Sequence, residues 1–195
     1  YRDGVSEVRT FRSDQTIQEL VQEYPASAGL DQDKRKLKRK MLFDSDGKTV
    51  LYEKQLRPDG SVEINGSRLA DGNFRREFYF ADSKKLEFLR ILASNGVVLY
   101  EEQYRTSGVL ARVIERNSHG GTSTEFYRED GSLELVEIRG VNEWDSVERH
   151  IFDAKSEKIL EVTYTHSSIS VKYYENGVLV EERSVYNYGY GDQGT

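Results

Sequence analysis

The feature that most constrains the fold of this chain is a turn signal that returns about every twelve residues. An aromatic or apolar residue is followed by polar residues, a glycine after Asp, Asn or Ser, and an aliphatic residue, as in YREDGSLELVEI at 127–138. Glycine adopts positive φ without a Cβ penalty, as a tight β-hairpin turn requires. Strong signals lie at Gly47, Gly60, Gly72, Ser83, Gly96, Gly108, Gly120, Gly131 and Gly177, and weaker ones near Asn142, Lys155 and Ser167.

The segments between the turns are typical of strands. They are short and rich in β-branched and aromatic residues, as at 97–104 (VVLYEEQY) and 133–139 (LELVEIR), and none continues at a helical period. The pattern predicts an all-β fold, a long antiparallel up-and-down meander of about twelve strands made of two-strand repeats of about 24 residues. We expect this sheet to be twisted or curled, because flat open sheets of that size are unusual. Apolar doublets such as Val113-Ile114 place hydrophobic groups on both faces, so we expect both faces to be partly covered.

The limits of the pattern define the predicted domains. A β-hairpin repeat domain is predicted at 43–185, preceded by an N-terminal segment at 1–42 and followed by a flexible tail at 186–195. Because the chain begins at Tyr1 and already inside the pattern, we interpret it as a mature or trimmed fragment.

The N-terminal segment supports two interpretations. Asp14 offers a helix N-cap, and apolar residues follow at helical spacing: Ile17, Leu20 and Val21. These residues favour a short helix at 14–23, although FRSDQTIQEL from Phe11 also resembles the hairpin sequence FADSKKLEFL from Phe80. The basic run KRKLKRK at 34–40 is predicted as a strand that divides its charges between two faces and has a solubilising or edge-protecting role. A polyanion contact is the alternative.

Composition excludes several classes of partner. The formal net charge is −6, with 34 acidic residues against 28 Lys and Arg, so nucleic acid is not an expected partner. No apolar run approaches the roughly 18 residues of a spanning helix, so no transmembrane segment is predicted. The chain has no cysteine, which excludes a disulfide framework and leaves the compartment unknown, with an extracytoplasmic location favoured.

The repeated unit resembles the YD repeats of RHS-type bacterial proteins. It is also similar to the tandem MORN-variant repeats of some bacterial antitoxin-like proteins. The shared elements are an aromatic residue, an Asp/Asn-Gly turn and an aliphatic residue two positions past the glycine, in YREDGSLELVEI, YYENGVLVEERSV, YRTSGVLARVIER and FDSDGKTVLYEK. The arginine that usually follows the turn glycine is replaced here: Lys48, Ser61, Val109, Ser132 and Val178. The resemblance covers about 43–185 and implies a hairpin-repeat sheet that serves as a scaffold, shell or partner-binding surface, and it carries over no catalytic residues.

No catalytic or metal-binding constellation emerges from the residues. His119 and His166 fall at predicted turns and His150 in a strand, far apart in sequence and without any cysteine, whereas metal ligands are usually paired at short spacing. The chain has no G-x-S-x-G nucleophile motif. The G-x-G-x-x-G at 189–194 lacks a strand and a helix around it, and Asn65-Gly66 is interpreted as an ordinary turn or a glycosylation sequon.

Paired carboxylates are the remaining acid–base candidates. Neighbours in a strand point to opposite faces, so they are poor catalytic pairs and are interpreted as solvated strand edges: Glu101-Glu102, Glu129-Asp130 and Glu181-Glu182. We therefore predict a non-enzymatic protein without cofactor or metal.

Aromatic residues are the candidate binding groups, because Tyr and Trp are favoured at interfaces. They are Tyr79, Tyr100, Tyr104, Tyr127, Trp144, Tyr164 and Tyr173. The predicted function is a repeat module that offers an extended β-sheet surface to a protein or a glycan. The alternative is a carrier that holds an apolar ligand inside a curled, barrel-like sheet. Edge-to-edge self-association is a further expectation for an open meander.

Overall fold

The computed structural model describes residues 5–24, 37–81, 83–142 and 145–186. These residues form fifteen β-strands and no helix, in two compact units, Tyr1–Val98 and Leu99–Thr195. The first unit contains β1 Ser6–Phe11, β2 Ile17–Glu23, β3 Leu37–Phe43, β4 Val50–Leu56, β5 Val62–Arg68, β6 Phe74–Tyr79 and β7 Leu86–Leu92. The boundary between the units falls after Val98, the first residue of β8 Val98–Tyr104. The second unit contains the rest of β8 and continues with β9 Leu110–Arg116, β10 Thr122–Tyr127, β11 Leu133–Arg139, β12 Val147–Phe152, β13 Lys158–Tyr164, β14 Ser168–Glu175 and β15 Val178–Tyr186.

The antiparallel up-and-down meander is confirmed. In each unit, strands that are consecutive in the chain are hydrogen-bonded neighbours, and the strand order follows the chain order. The turns fall where the sequence places them, with φ of +88° at Gly60, +93° at Gly108 and +86° at Gly131. Around Gly60, for example, the Arg57 N–H donates to the Ser61 carbonyl and the Gly60 N–H to the Arg57 carbonyl, both at 2.9 Å.

The N-terminal segment corrects two predictions. The expected helix at 14–23 is wrong, because the segment forms strand β2, paired with β1 on one side and β3 on the other. Asp14 does accept hydrogen bonds from Thr16, but it does so in the β1–β2 turn, where Gln15 has φ of +68°. A ten-residue helix is marginal on its own, and two strand neighbours satisfy the backbone better. The strands of this segment also raise the count from about twelve to fifteen.

A further correction concerns Asn65-Gly66, which lies within β5 and not in a turn. Gly66 faces Glu53 of β4 on one side and Arg76 of β6 on the other. The Phe74 ring occupies the space above the glycine, since a Cβ built at Gly66 would lie 2.6 Å from a ring carbon. Gly66 is therefore required for close packing across the sheet.

The hydrophobic core is thin. Among the described residues the buried hydrophobic side chains are Phe74, Leu89 and Val162, each 8% exposed, while most strand residues on both faces are half-buried. Cross-strand side-chain pairs must therefore supply much of the sheet's stability.

Arginines that precede turns connect neighbouring hairpins. Arg128 begins the β10–β11 turn and donates to the carbonyls of Phe152, at 2.5 Å, and Asp153, at 2.9 Å, in the β12–β13 turn. Arg105 reaches the Tyr127 carbonyl in the same way at 2.6 Å. Because charge-assisted hydrogen bonds are stronger than neutral ones, these contacts fix turns that lie at the same end of a unit. The sequence signal is an arginine three residues before the turn glycine.

Candidate functional site

The aromatic residues singled out from the sequence are distributed over both units. Tyr79 ends β6 in the first unit, and Trp144 lies outside the described residues. In the second unit, the strand register places Tyr100 on one face and Tyr164 and Tyr173 on the opposite face. The predicted aromatic set is therefore divided between two surfaces of the second unit.

One face of the second unit carries a continuous row of aligned residues, one from each strand. Successive register pairs join them from β8 to β15: Glu102, Val113, Glu125, Val136, His150, Glu161, Lys172 and Glu182. We call this set the polar row, because six of its eight members are charged or titratable. At about 4.8 Å between strands, eight strands extend the row over roughly 34 Å.

Tyrosines flank the β8 end of the polar row and bind its carboxylates. The Tyr100 hydroxyl donates to Glu102 Oε1 at 2.7 Å, and the Tyr104 hydroxyl donates to Glu102 Oε2 at 2.6 Å. The Tyr127 hydroxyl donates to Glu125 in the same manner. These five residues form the tyrosine–carboxylate patch, in which the hydroxyls hold the carboxylates in place.

The electrostatics of the patch follow from burial and from the neighbouring carboxylates. Partial burial and the hydrogen bond to Glu125 raise the pKa of Tyr127 to about 12. The pKa of Tyr100 is also raised, by burial and then by its bond to Glu102. Both phenols therefore stay protonated at neutral pH and act as donors, while the carboxylate oxygens keep lone pairs for additional donors.

The opposite face of the second unit uses its tyrosines differently. The Arg149 guanidinium lies 5.5 Å from the centre of the Tyr164 ring, and the Arg183 guanidinium lies 5.8 Å from the centre of the Tyr173 ring. These are cation–π contacts between neighbouring strands, which stabilise the sheet directly. Tyr164 and Tyr173 therefore contribute to strand pairing through their rings, whereas the patch tyrosines bind carboxylates through their hydroxyls.

Tyr79 repeats the tyrosine–carboxylate pair in the first unit. Its hydroxyl donates to Glu77 Oε2 at 2.7 Å, and burial followed by this bond raises its pKa to about 12. Beside it, the turns after β4 and β6 form a groove of about 790 Å³. The groove combines apolar and charged lining, with Val62, Ala81 and Tyr79 next to Asp59 and Lys84.

Sequence reasoning missed the buried glutamates. Glu53, Glu101 and Glu161 are 1%, 7% and 8% exposed, although glutamates are rarely buried without partners. Glu101 corrects the interpretation of Glu101-Glu102 as a solvated strand edge, because Glu101 is buried and pairs with Arg112 at 3.1 Å. The available signal was an arginine or lysine on a nearby strand, aligned with the glutamate for Lys172 and offset by two residues for Arg39 and Arg112, which becomes visible only once the register is known.

Glu161 is the most highly coordinated member of the polar row. It accepts from Lys172 at 2.8 Å, Lys158 at 2.9 Å and the Tyr174 hydroxyl at 3.1 Å. These hydrogen bonds, led by the one from Lys172, lower its pKa to about 2. The carboxylate is therefore charged at every physiological pH.

His150 lies next to Glu161 and forms the one group among the described residues with metal-ligand donor types. Its Nε2 contacts Glu148 and lies 3.9 Å from Glu161, and the donor atoms of all three residues lie within 4.8 Å of one another. Lys158 and Lys172 already neutralise Glu161, so a divalent cation would have to displace two ammonium groups. We interpret the group as two members of the polar row, His150 and Glu161, with the adjacent Glu148, and not as a metal site.

The other sequence candidates have local roles. His119 and His166 lie in turns and His150 lies in a strand, as predicted. In the basic run, Arg39 pairs with Glu53 and Lys40 with Glu19, each at 2.6 Å, and the two cations point to opposite faces. Residues 34–36, the tail from 187 onward and its G-x-G-x-x-G lie outside the described residues.

Comparison with known proteins adds no family assignment. A scan against protein-family models gave no match, and a search of curated proteins found no similar sequence. No helix in the described part of the chain is long and apolar enough to cross a membrane. The function must therefore be inferred from the geometry of the polar row and of the tyrosine–carboxylate patch.

Proposed function

We propose that this chain is a non-enzymatic repeat module that binds a protein or a glycan on the face of the second unit that carries the polar row. The YD-type or MORN-like resemblance of its repeats is consistent with a bacterial, exported binding surface, and it belongs to the same proposal.

The tyrosine–carboxylate patch is the observation that carries the proposal. Tyr100, Tyr104 and Tyr127 combine half-buried rings with hydroxyls that are fixed by Glu102 and Glu125. Fixed aromatic rings lose little side-chain entropy on binding, which is why tyrosine is favoured at interfaces. The carboxylates can accept hydrogen bonds from sugar hydroxyls or from the donors of a protein partner.

A face-specific comparison tests the proposal. The variant Y100A/Y127A removes two patch tyrosines, and Y164A/Y173A removes two tyrosines from the opposite face of the same unit. Capture of partners from the native host and binding to an oligosaccharide array are measured with both variants. We expect Y100A/Y127A to lose at least about tenfold in affinity and the control to retain it. Equal losses in two folded variants would contradict the proposal.

The carrier function has one observation in its favour, the groove of about 790 Å³ near Tyr79, whose volume suits a small molecule. Two observations oppose it. A closed barrel has no edge strands, whereas β1 and β15 each pair with one neighbour among the described residues. Both lysine and aspartate also line the groove. Fluorescence of a lipophilic dye tests the carrier, and a signal abolished by Y79A would favour it.

A further inference from the structure

Strand β15 is an exposed edge of the second unit. All nine of its residues are exposed, and within the described part of the chain it pairs with β14 alone. Its apolar side chains include Val178, Leu179, Val180 and Val185, which are unusual on an open surface. The outer edge of such a strand presents backbone N–H and C=O groups that favour pairing with another strand.

The edge strand of the first unit, β1, differs from β15 in how its charged side chains are paired. Glu7 accepts from Gln22 of β2 at 2.8 Å and from Arg9 at 2.7 Å, and its side chain is well covered. On β15 the corresponding pair is Glu181 and Arg183, 2.5 Å apart, with side chains 46% and 68% exposed. The charges of β15 are therefore accessible to a second chain.

We propose that β15 pairs antiparallel with β15 of a second copy of this chain, around a two-fold axis that passes between Glu182 and Glu182 of the second copy. In this register, Glu181 lies opposite Arg183 of the second copy, and Arg183 lies opposite Glu181 of the second copy. Directly opposed residues of antiparallel strands share a face, so the two Glu–Arg pairs form a square of alternating charge.

The two-fold axis places one unfavourable contact at the centre, where Glu182 meets Glu182 of the second copy. Lys172 lies opposite Glu182 on β14 in each copy and offsets part of this repulsion. A two-fold contact uses the same surface on both chains, so it closes as a dimer and does not extend into a fibre. An interface of one strand edge is small, so we expect a reversible dimer.

Sedimentation velocity on the full chain, over about a hundredfold range of concentration, tests the proposal by mass action. The variants E181R and R183E each oppose like charges across the axis, so each alone should dimerise at least about tenfold more weakly. An equimolar mixture of the two should restore a heterodimer, because every opposed pair is again Glu with Arg. E182Q should dimerise about two- to fivefold more tightly, since it removes the central repulsion.

Circular dichroism verifies that each variant folds, which the exposure of both side chains favours. A monomeric wild-type chain at every concentration would overturn the proposal, as would single variants that dimerise like wild type. Failure of the mixture to restore the dimer would also overturn it. That result is expected if β15 of one copy pairs instead with β1 of another, because both variants leave β1 unchanged and mixing them restores no opposed pair. None of these outcomes depends on the sheet-face binding under Proposed function.

Discussion

Glu53 in the first unit and Glu161 in the second are both carboxylates buried in a thin sheet, and different cations bind them. In the first unit, Arg39 of β3 and Arg76 of β6 each bind one oxygen of Glu53, at 2.6 and 2.5 Å. Arg76 crosses β5 above Gly66 to do so. In the second unit, Lys158 and Lys172 bind Glu161 beside Tyr174 and His150.

The two networks differ in how completely they enclose the carboxylate, since Glu53 is 1% exposed and Glu161 is 8% exposed. Planar guanidinium groups stack on aromatic rings, and Arg76 lies 5.8 Å from the centre of the Phe74 ring, which helps to seal Glu53. Glu161 is held instead by two lysine ammonium groups, which are compact and strongly hydrated. We therefore expect the Glu53 network to be a structural lock and the Glu161 network to belong to a surface that contacts partners.

The largest effect is expected from E53A. Removing the carboxylate leaves two guanidinium groups without their counter-ion, so the free energy of unfolding of the first unit should fall by about 3 to 5 kcal/mol. Urea unfolding monitored by far-UV circular dichroism measures this loss of stability. E63A, at a half-buried position of β5, is the control. A loss no larger than that of the control would contradict the lock.

E161Q should destabilise the second unit by about 2 to 3 kcal/mol at pH 7 and change its pH dependence. The folded pKa of Glu161, about 2, lies below its ordinary value of 4.5. The stabilisation by the charged carboxylate is therefore complete above about pH 5 and is lost as pH falls toward 2. Urea midpoints between pH 2 and 7 should drop less steeply in E161Q than in wild type. E134Q, at an exposed position of β11, should retain the wild-type slope.

G66A tests whether the Glu53 network needs the glycine beneath the Phe74 ring. The added Cβ would approach the ring to 2.6 Å, so the ring, which also contacts Arg76, must move. We expect a loss of about 1 to 2 kcal/mol in the free energy of unfolding. The double variant E53A/G66A should show less than the sum of the single losses, because both act on one network. Additive losses would argue that glycine and carboxylate act independently.

The smallest effect distinguishes arginine from lysine at one position. R39K keeps the charge beside Glu53 but loses the planar fork, so we expect a loss of about 1 kcal/mol. The reciprocal change K172R places a guanidinium beside Glu161 and should be close to neutral. Thermal unfolding of both variants provides the comparison, and equal midpoints would remove the distinction between the two networks.

The fold could be predicted further than the site because the turns are encoded locally. A glycine or asparagine at positive φ acts within four residues, so Gly47, Gly131 and Gly177 mark their turns without tertiary information. The local sequence could not predict the strand at 14–23, because the apolar spacing of this segment fits a helix. Pairing with the neighbouring strands β1 and β3 makes it a strand. The same reason explains Asn65-Gly66, which was predicted as a turn but lies in a strand. The glycine there leaves room for the Phe74 ring.

The sequence by itself determined the all-β class, the meander and the position of nearly every reversal, because hairpin turns depend on residues that are close in the chain. Only the tertiary structure decided which side chains align across strands. A register change of one residue exchanges the faces of a strand. The alignment of Glu102, Glu125, His150 and Glu161 in the polar row, and the burial of Glu53, therefore arise from pairings between residues that are distant along the chain.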